Sequence, residues 1–161
     1  MQTNSAVVKI LWLVGLAIIS LPQVSLAYPA LVQQTLQANQ ALSNLLNQGH
    51  QLVSRGSWAD ALQVYEQAAQ LDGKNPRIFS AIGYVQARQE NFEQAARAYQ
   101  SAIDLEPENA DFYYALGYSL GHLGDDPGAA AAYRRASQLN PKNIAAYEGL
   151  GIILTRQQDY R

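Results

Sequence analysis

The side chains able to do chemistry in this sequence are few and scattered. His50 and His122 are its two histidines, 72 positions apart, and neither sits among residues spaced as metal ligands. Cysteine is absent, which removes thiolate metal sites, cysteine nucleophiles, disulfides and a lipidated cysteine together. Zinc or nucleophilic catalysis draws on a clustered set of such groups, and the sequence offers none. A G-x-S-x-G elbow, a glycine-rich phosphate loop and an HExxH helix are likewise missing. Gly121, Gly124 and Gly128 are spread over a turn between two helical stretches, not over a strand-to-helix loop. Glu106, Glu108, Asp125 and Asp126 stand where helix caps and turn residues are expected. The expectation is a chain that is not an enzyme and holds no cofactor and no metal.

The elements that position these residues are bounded by length and composition. At 161 residues the chain has room for one domain and a targeting segment. It is 48% hydrophobic and 15% charged, which excludes a disordered or highly charged tail. A net charge of −2 without any run of Lys or Arg gives no footprint for nucleic acid. Residues 1–27 read as an export signal: Lys9, an apolar run from Ile10 to Ile19, Pro22, and small residues at Ser25 and Ala27 ahead of a cleavage point. The alternative is an uncleaved amino-terminal anchor, although the apolar run is well short of the roughly 20 residues of a membrane span. Either reading places the remainder outside the cytoplasm, in the periplasm or extracellular space, with a membrane contact only through an uncleaved segment.

Repetition dominates the rest of the chain. Gly49, Gly83, Gly117 and Gly151 recur at intervals of 34 residues. In the same register run Ala61, Ala95 and Ala129; Tyr65, Tyr99 and Tyr133; and Ala68, Ala102 and Ala136. Leu71, Leu105 and Leu139, then Asn75, Asn109 and Asn143, close each unit. Phe79, Tyr113 and Tyr147 share a further column, as do Ile82, Leu116 and Leu150. Simple amphipathicity has no reason to repeat at such an interval.

Each unit reads as two helices. Apolar residues at Phe79, Ile82, Tyr84 and Val85 mark one over 77–88. Asn91 is placed to cap the next, which Pro107 stops. Ser57 with Asp60, and Asp126 ahead of Pro127, are the matching caps in the flanking units. Pro141 ends the third unit, and Gly73 is expected to end the first in a left-handed conformation. The glycine and alanine columns let helices approach closely, while Tyr65, Tyr99, Tyr133, Trp58 and Phe92 fill the space between layers, each burying on the order of 150–250 Å². No single unit can bury such a face alone.

These columns resemble the tetratricopeptide repeat family, with its 34-residue helix–turn–helix unit. The resemblance covers 42–161: units at 42–75, 76–109 and 110–143, and the first helix of an incomplete fourth at 144–161. Gln86, Leu45 and Gln48 depart from the family pattern. The resemblance implies an all-α, right-handed solenoid whose concave face, lined mainly by the first helix of each unit, binds a protein or peptide. It points inward at His50, Val53, Arg77, Ser80, Tyr84, Arg88, Asp111, Tyr114, Tyr118, His122, Glu148 and Ile152. Of these His50, Arg77, Tyr84, Arg88, Tyr114, Tyr118 and His122 are the candidate groove. Tyr84, Tyr114 and Tyr118 stand out, because the repeat core does not require aromatics there; the alternative is that they pack against neighbouring helices. The family's clamp for a carboxy-terminal carboxylate would need Lys, Asn and Arg where this chain has Leu46, His50, Ala81, Asp111 and Ala115, so that mode is not expected.

Two ends stay open at this level. Residues 28–41 are Gln-rich, match no column, and read as a capping helix or a linker. Leu150, Ile152, Ile153 and Leu154 make the last helix look built to be covered, as in a fragment of a longer array; the alternative is that this helix serves as an apolar cap or a dimer contact. The function expected is a scaffold of the cell envelope that binds a protein or peptide; the alternative is a structural module that self-associates through the last helix.

Overall fold

The computed structural model describes residues 22–159, which form seven α-helices and no strands among the described residues. They are α1 (Pro22–Ser54), α2 (Trp58–Leu71), α3 (Pro76–Arg88), α4 (Phe92–Leu105), α5 (Ala110–Leu123), α6 (Asp126–Leu139) and α7 (Ile144–Asp159). Contacts divide the chain into two units, Met1–Ala41 and Leu42–Arg161. Most of the expected export segment lies outside the described residues. In the first unit, residues 28–41 are helical rather than a linker, and every residue from Ala30 to Ala41 is exposed. No described helix is long and apolar enough to cross a membrane.

The second unit is built from the repeat columns. Ala61, Ala95, Ala129, Ala68, Ala102 and Ala136 are all fully buried. A methyl group there fits between helices where a larger side chain would hold them apart. Opposite each tyrosine of the second helices sits a glycine of the preceding helix. A Cβ on Gly49 would lie 2.5 Å from the Tyr65 ring, and one on Gly83 or Gly117 would lie 2.9 Å from Tyr99 or Tyr133. Gly149 meets the Tyr133 ring as well, at 2.6 Å. Tyr133 is therefore clamped between its own unit and the next.

Three apolar clusters result. Ala61, Tyr65 and Val85 gather Leu46, Leu52, Val53, Trp58 and Ile82. Ala102, Ile103 and Phe112 gather Phe79, Tyr113 and Leu116, and Ala129, Ala130, Tyr133 and Ile153 gather Tyr114, Leu120 and Leu150. The last helix is thus less open than its sequence implies: Ile153 is buried and Leu150 and Leu154 are half-buried, leaving Ile152 of those four in solvent. Recurrence does not guarantee burial either, since Leu71 and Leu105 are exposed.

The turns correct several expectations. The asparagines that close each unit cap the next one: Asn75 Oδ1 accepts from the Arg77 amide at 3.2 Å and Asn109 Oδ1 from Asp111 at 3.1 Å. Asn143 Oδ1 accepts from Ala146 at 3.1 Å. Asp125, not Asp126, caps α6, its Oδ1 accepting from the Gly128 amide at 3.0 Å across Pro127, which has no N–H to offer. Ser57 and Asn91 occupy cap positions without a side-chain cap bond. Gly73 is not left-handed; α2 ends at Leu71 with Asp72 as its C-cap, whose amide donates to the Ala68 carbonyl. Among the described residues the left-handed ones are Gly56, Glu90 and Gly124, another 34-residue column, each between the two helices of one unit. The bonds Ser57 N–H to Leu52 O, Asn91 to Gln86 and Asp125 to Leu120 (2.9, 2.9 and 3.0 Å) close the same Schellman turn three times.

Candidate functional site

The side chains left over from this core gather along α1, α3, α5 and α7. His50 is exposed, edge-on to Tyr65 at 6.1 Å between ring centres. With Val53, Arg77, Ser80, Tyr84 and Asp111 it lines a cavity of about 440 Å³. Tyr84 continues into a second cavity of about 640 Å³, shared with Arg88, Glu90, Phe92, Tyr114, Tyr118 and His122. Tyr118 and His122 in turn border a third, of about 310 Å³, with Ile152 and Arg156. Glu148 lies beyond, beside Ile152 in a fourth. All seven candidate residues thus face a single run of linked cavities. Of the carboxylate-clamp positions, Ala81, Asp111 and Ala115 line the first of these cavities without bringing a cation, and Leu46 packs into the first apolar cluster.

The three tyrosines differ from one another. Tyr84 and Tyr118 are 45% and 43% exposed, too open to be core. Tyr114 is half-buried and tilts onto Tyr133 at 5.8 Å, so the packing alternative holds for it in part. Tyr84 is held edge-on by Trp58 at 6.2 Å, and Tyr118 by Phe92 at 6.1 Å. Trp58 and Phe92 begin the second helices, where they brace the cavity wall as well as filling the layer. Arg88 lies over the Trp58 ring at 5.1 Å, a cation–π contact. His122 stacks on Phe92 at 4.2 Å with an interplanar angle of 12°. Glu90 also lines the central cavity, although sequence reasoning did not single it out; its signal is the glycine that stands at the same position in the other two turns.

Beneath the rings lie the clamped tyrosines. Burial pushes the Tyr99 phenol well above its ordinary value, with Tyr84 adding a smaller push. Burial, then Tyr114 and Tyr118, raise Tyr133 to about 12 against an opposing Arg156. Both stay neutral donors under ordinary conditions. Arg156 itself ties α7 to the third unit, through Nε to Asp126 Oδ2 at 2.9 Å and through Nη2 to the Gly121 carbonyl at 3.0 Å. Among the described residues no group of three or more His, Asp or Glu could hold a metal ion.

Models of the tetratricopeptide repeat match residues 49–90 and 80–144, together more than half of the chain. The chain belongs to the tetratricopeptide repeat family. A TPR repeat-containing protein of Picosynechococcus sp. is 39% identical over 80 residues, half of this chain but 19% of that relative. The chain therefore spans under a fifth of the length of the relative it matches. Among solved structures, the first TPR of Spaghetti (RPAP3) bound to an HSP90 peptide is similar at a TM-score of 0.72 and 22% identity, over 74% of this chain and 94% of that one. MamA is similar at 0.71 and 25% identity, over 78% and 74%. The Yersinia enterocolitica type III secretion chaperone SycD, in complex with a peptide of the translocator YopD, is similar at 0.69 and 17%, over 73% and 95%. Likeness at these identities speaks to the fold.

Proposed function

We propose that this tetratricopeptide repeat chain is a non-catalytic scaffold of the cell envelope that holds a protein or peptide partner in the run of cavities along α1, α3, α5 and α7. The observation that carries the reading is the pair of braced, solvent-facing rings of Tyr84 and Tyr118, amphipathic surfaces that the repeat core does not need. The RPAP3 and SycD structures, which hold peptides, support it by analogy of fold. The envelope placement rests on the export signal read in residues 1–27. Cross-linking capture of partners from an envelope extract, wild type against Tyr84→Ala/Tyr118→Ala, tests the groove. Loss of a specific partner with unchanged helicity is the expected result, and unchanged capture removes the groove. Mass spectrometry of the amino terminus in the natively expressed protein tests export; a start at Tyr28 supports it, and a Met1 start in a soluble cytoplasmic fraction overturns it.

Exposed Ile144, Tyr147 and Ile152 on α7 support a second reading, self-association through that helix. Sedimentation at increasing concentration tests it: a dimer lost in Ile152→Ser favours the second reading, and a monomer throughout rejects it.

A further inference from the structure

We infer that the outer face of α7 docks a helix of a partner protein that carries a tyrosine between two alanines, spaced Ala-x3-Tyr-x2-Ala, with the tyrosine ring seated on Gly151.

The two faces of α7 differ. Ala146 and Ile153 are buried, like Ile78 and Phe112, and Val85 and Ser119, in the same two columns. Ile153 packs on Ala129, Ala130 and Tyr133, so the preceding unit closes this face. The other face runs through Ile144, Tyr147, Glu148, Gly151 and Thr155, at i, i+3, i+4, i+7 and i+11 along one side of the helix. All five are exposed, whereas at every one of these positions the counterpart in α1, α3 and α5 is half-buried or buried.

In those earlier units the cover comes from the second helix of the same unit. A Cβ on Gly49, Gly83 or Gly117 would lie 2.5, 2.9 or 2.9 Å from the ring of Tyr65, Tyr99 or Tyr133. Among the described residues nothing lies within 4 Å of a Cβ on Gly151, the fourth member of the column. Gly121, the counterpart of Thr155, meets Ala129 at 3.8 Å, and Ala129 stands four places before Tyr133. Phe79, the counterpart of Tyr147, packs against the cluster of Ala102, which stands three places after Tyr99.

Carried over to α7, these contacts define the occupant. One alanine lies over Thr155, the tyrosine ring on Gly151, and the second alanine beside Tyr147. Thr155 asks no polar partner of the newcomer, because its hydroxyl already donates to the Gly151 carbonyl at 3.0 Å. A hollow of about 590 Å³ lies over this stretch, lined by Glu148, Gly151, Ile152 and Thr155. Glu148 makes no ion pair among the described residues, so an arginine two places past the tyrosine suits the rim. Arg135 holds that place in α6, over the ring of Tyr113 at 5.9 Å. A second copy is the poorer occupant. The Ala-x3-Tyr-x2-Ala spacing occurs three times in this sequence, and its tyrosines are 1%, 5% and 6% exposed, each already seated on a glycine. A folded copy has no such helix to lend.

The test is fluorescence anisotropy of the full chain with a labelled peptide copying residues 125–139. A hydrocarbon link between positions 134 and 138, both exposed in α6, keeps so short a helix folded. Saturable binding is expected, weakened about tenfold or more by Tyr133→Ala in the peptide and by Gly151→Ala in the chain. Gly151→Ala adds a helix-favouring methyl in open space, so a melting temperature at or above the parent's separates lost docking from lost folding. Tyr84→Ala/Tyr118→Ala is expected to leave this binding unchanged, which keeps the face apart from the groove. Binding that ignores Gly151→Ala, or no binding, overturns the inference. A dimer in sedimentation that Gly151→Ala abolishes makes the occupant a second copy and overturns the partner. Natively expressed protein that refuses the peptide while the 161-residue chain takes it assigns the cover to the same polypeptide, and overturns the partner as well.

Discussion

Glu90 occupies a backbone conformation that suits glycine, with φ at 61° where the equivalent Gly56 and Gly124 have 74° and 79°. A left-handed residue with a Cβ costs roughly 1–2 kcal/mol against the same residue in a right-handed helix. Part of that is offset in the unfolded chain, because glycine has more conformational entropy to lose, an effect of about 0.4–1 kcal/mol. The Glu90 side chain is exposed and makes no ion pair among the described residues, so its removal sacrifices little. Glu90→Gly is therefore expected to stabilise the protein by about 0.5–1 kcal/mol, a rise in Tm of about 2–5 °C for a domain of this size. Thermal and urea unfolding followed by circular dichroism read this directly. The converse changes provide the control. Nothing lies within 4 Å of a Cβ built on Gly56 or Gly124, so an alanine there has space and meets only the backbone penalty. Gly56→Ala and Gly124→Ala should each destabilise by about 1 kcal/mol. A Glu90→Gly protein no more stable than the parent, beside destabilised alanine variants, would refute the idea that φ rather than side-chain contact sets the residue at this turn.

The packing makes further outcomes measurable. Gly117→Ala drives a methyl group into the ring of Tyr133, which Gly149 blocks as well, and should cost about 1–3 kcal/mol in urea unfolding. Gly151→Ala enters open space in a helix and should stabilise by about 0.5–1 kcal/mol, although it belongs to the same sequence column. Arg156→Ala leaves the largely buried Asp126 carboxylate without its cation and should destabilise by about 1–3 kcal/mol, releasing α7 first in hydrogen exchange. Tyr65, Tyr99 and Tyr133 all have phenols raised by burial above the usual 10. The folded state resists their ionisation, so their stabilisation is complete below pH 10 and is lost as pH climbs through the raised values. Tyrosinate absorbance at about 295 nm should show these three titrating late, together with alkaline unfolding; early titration of all ten tyrosines in a folded protein would contradict the burial.

The repeat interval was legible because close packing tolerates few volumes. Glycine facing a tyrosine ring, and alanine where two helices touch, leave a periodic trace that no alternative residue reproduces. The exposed rings were legible for the converse reason: Tyr84 and Tyr118 are aromatics at positions that the repeat core does not need. The turn column stayed hidden, since Glu90 breaks the glycine pattern between Gly56 and Gly124. In the same unit Gln86 replaces an apolar residue, and its Oε1 accepts from Asn91 Nδ2 at 3.0 Å. The order of Asp125 and Asp126 depends on which carboxylate reaches past Pro127, a matter of geometry that adjacent identical residues conceal. Leu150 and Ile153 looked uncovered only because their partners, Tyr133 and Ala130, lie in the preceding unit.

The clamp of Gly117 and Gly149 around Tyr133, like the contacts of Gly49 with Tyr65 and Gly83 with Tyr99, acts between immediate neighbours along the stack. Rigidity in such a chain is handed on link by link instead of being pooled in a common centre. An outer pair of helices can fray and re-form while the pairs further in keep their rings gripped. The same locality leaves the exposed face editable: a substitution at Tyr84 or Tyr118 alters what one link presents to solvent without touching the glycine–tyrosine grip that holds the next.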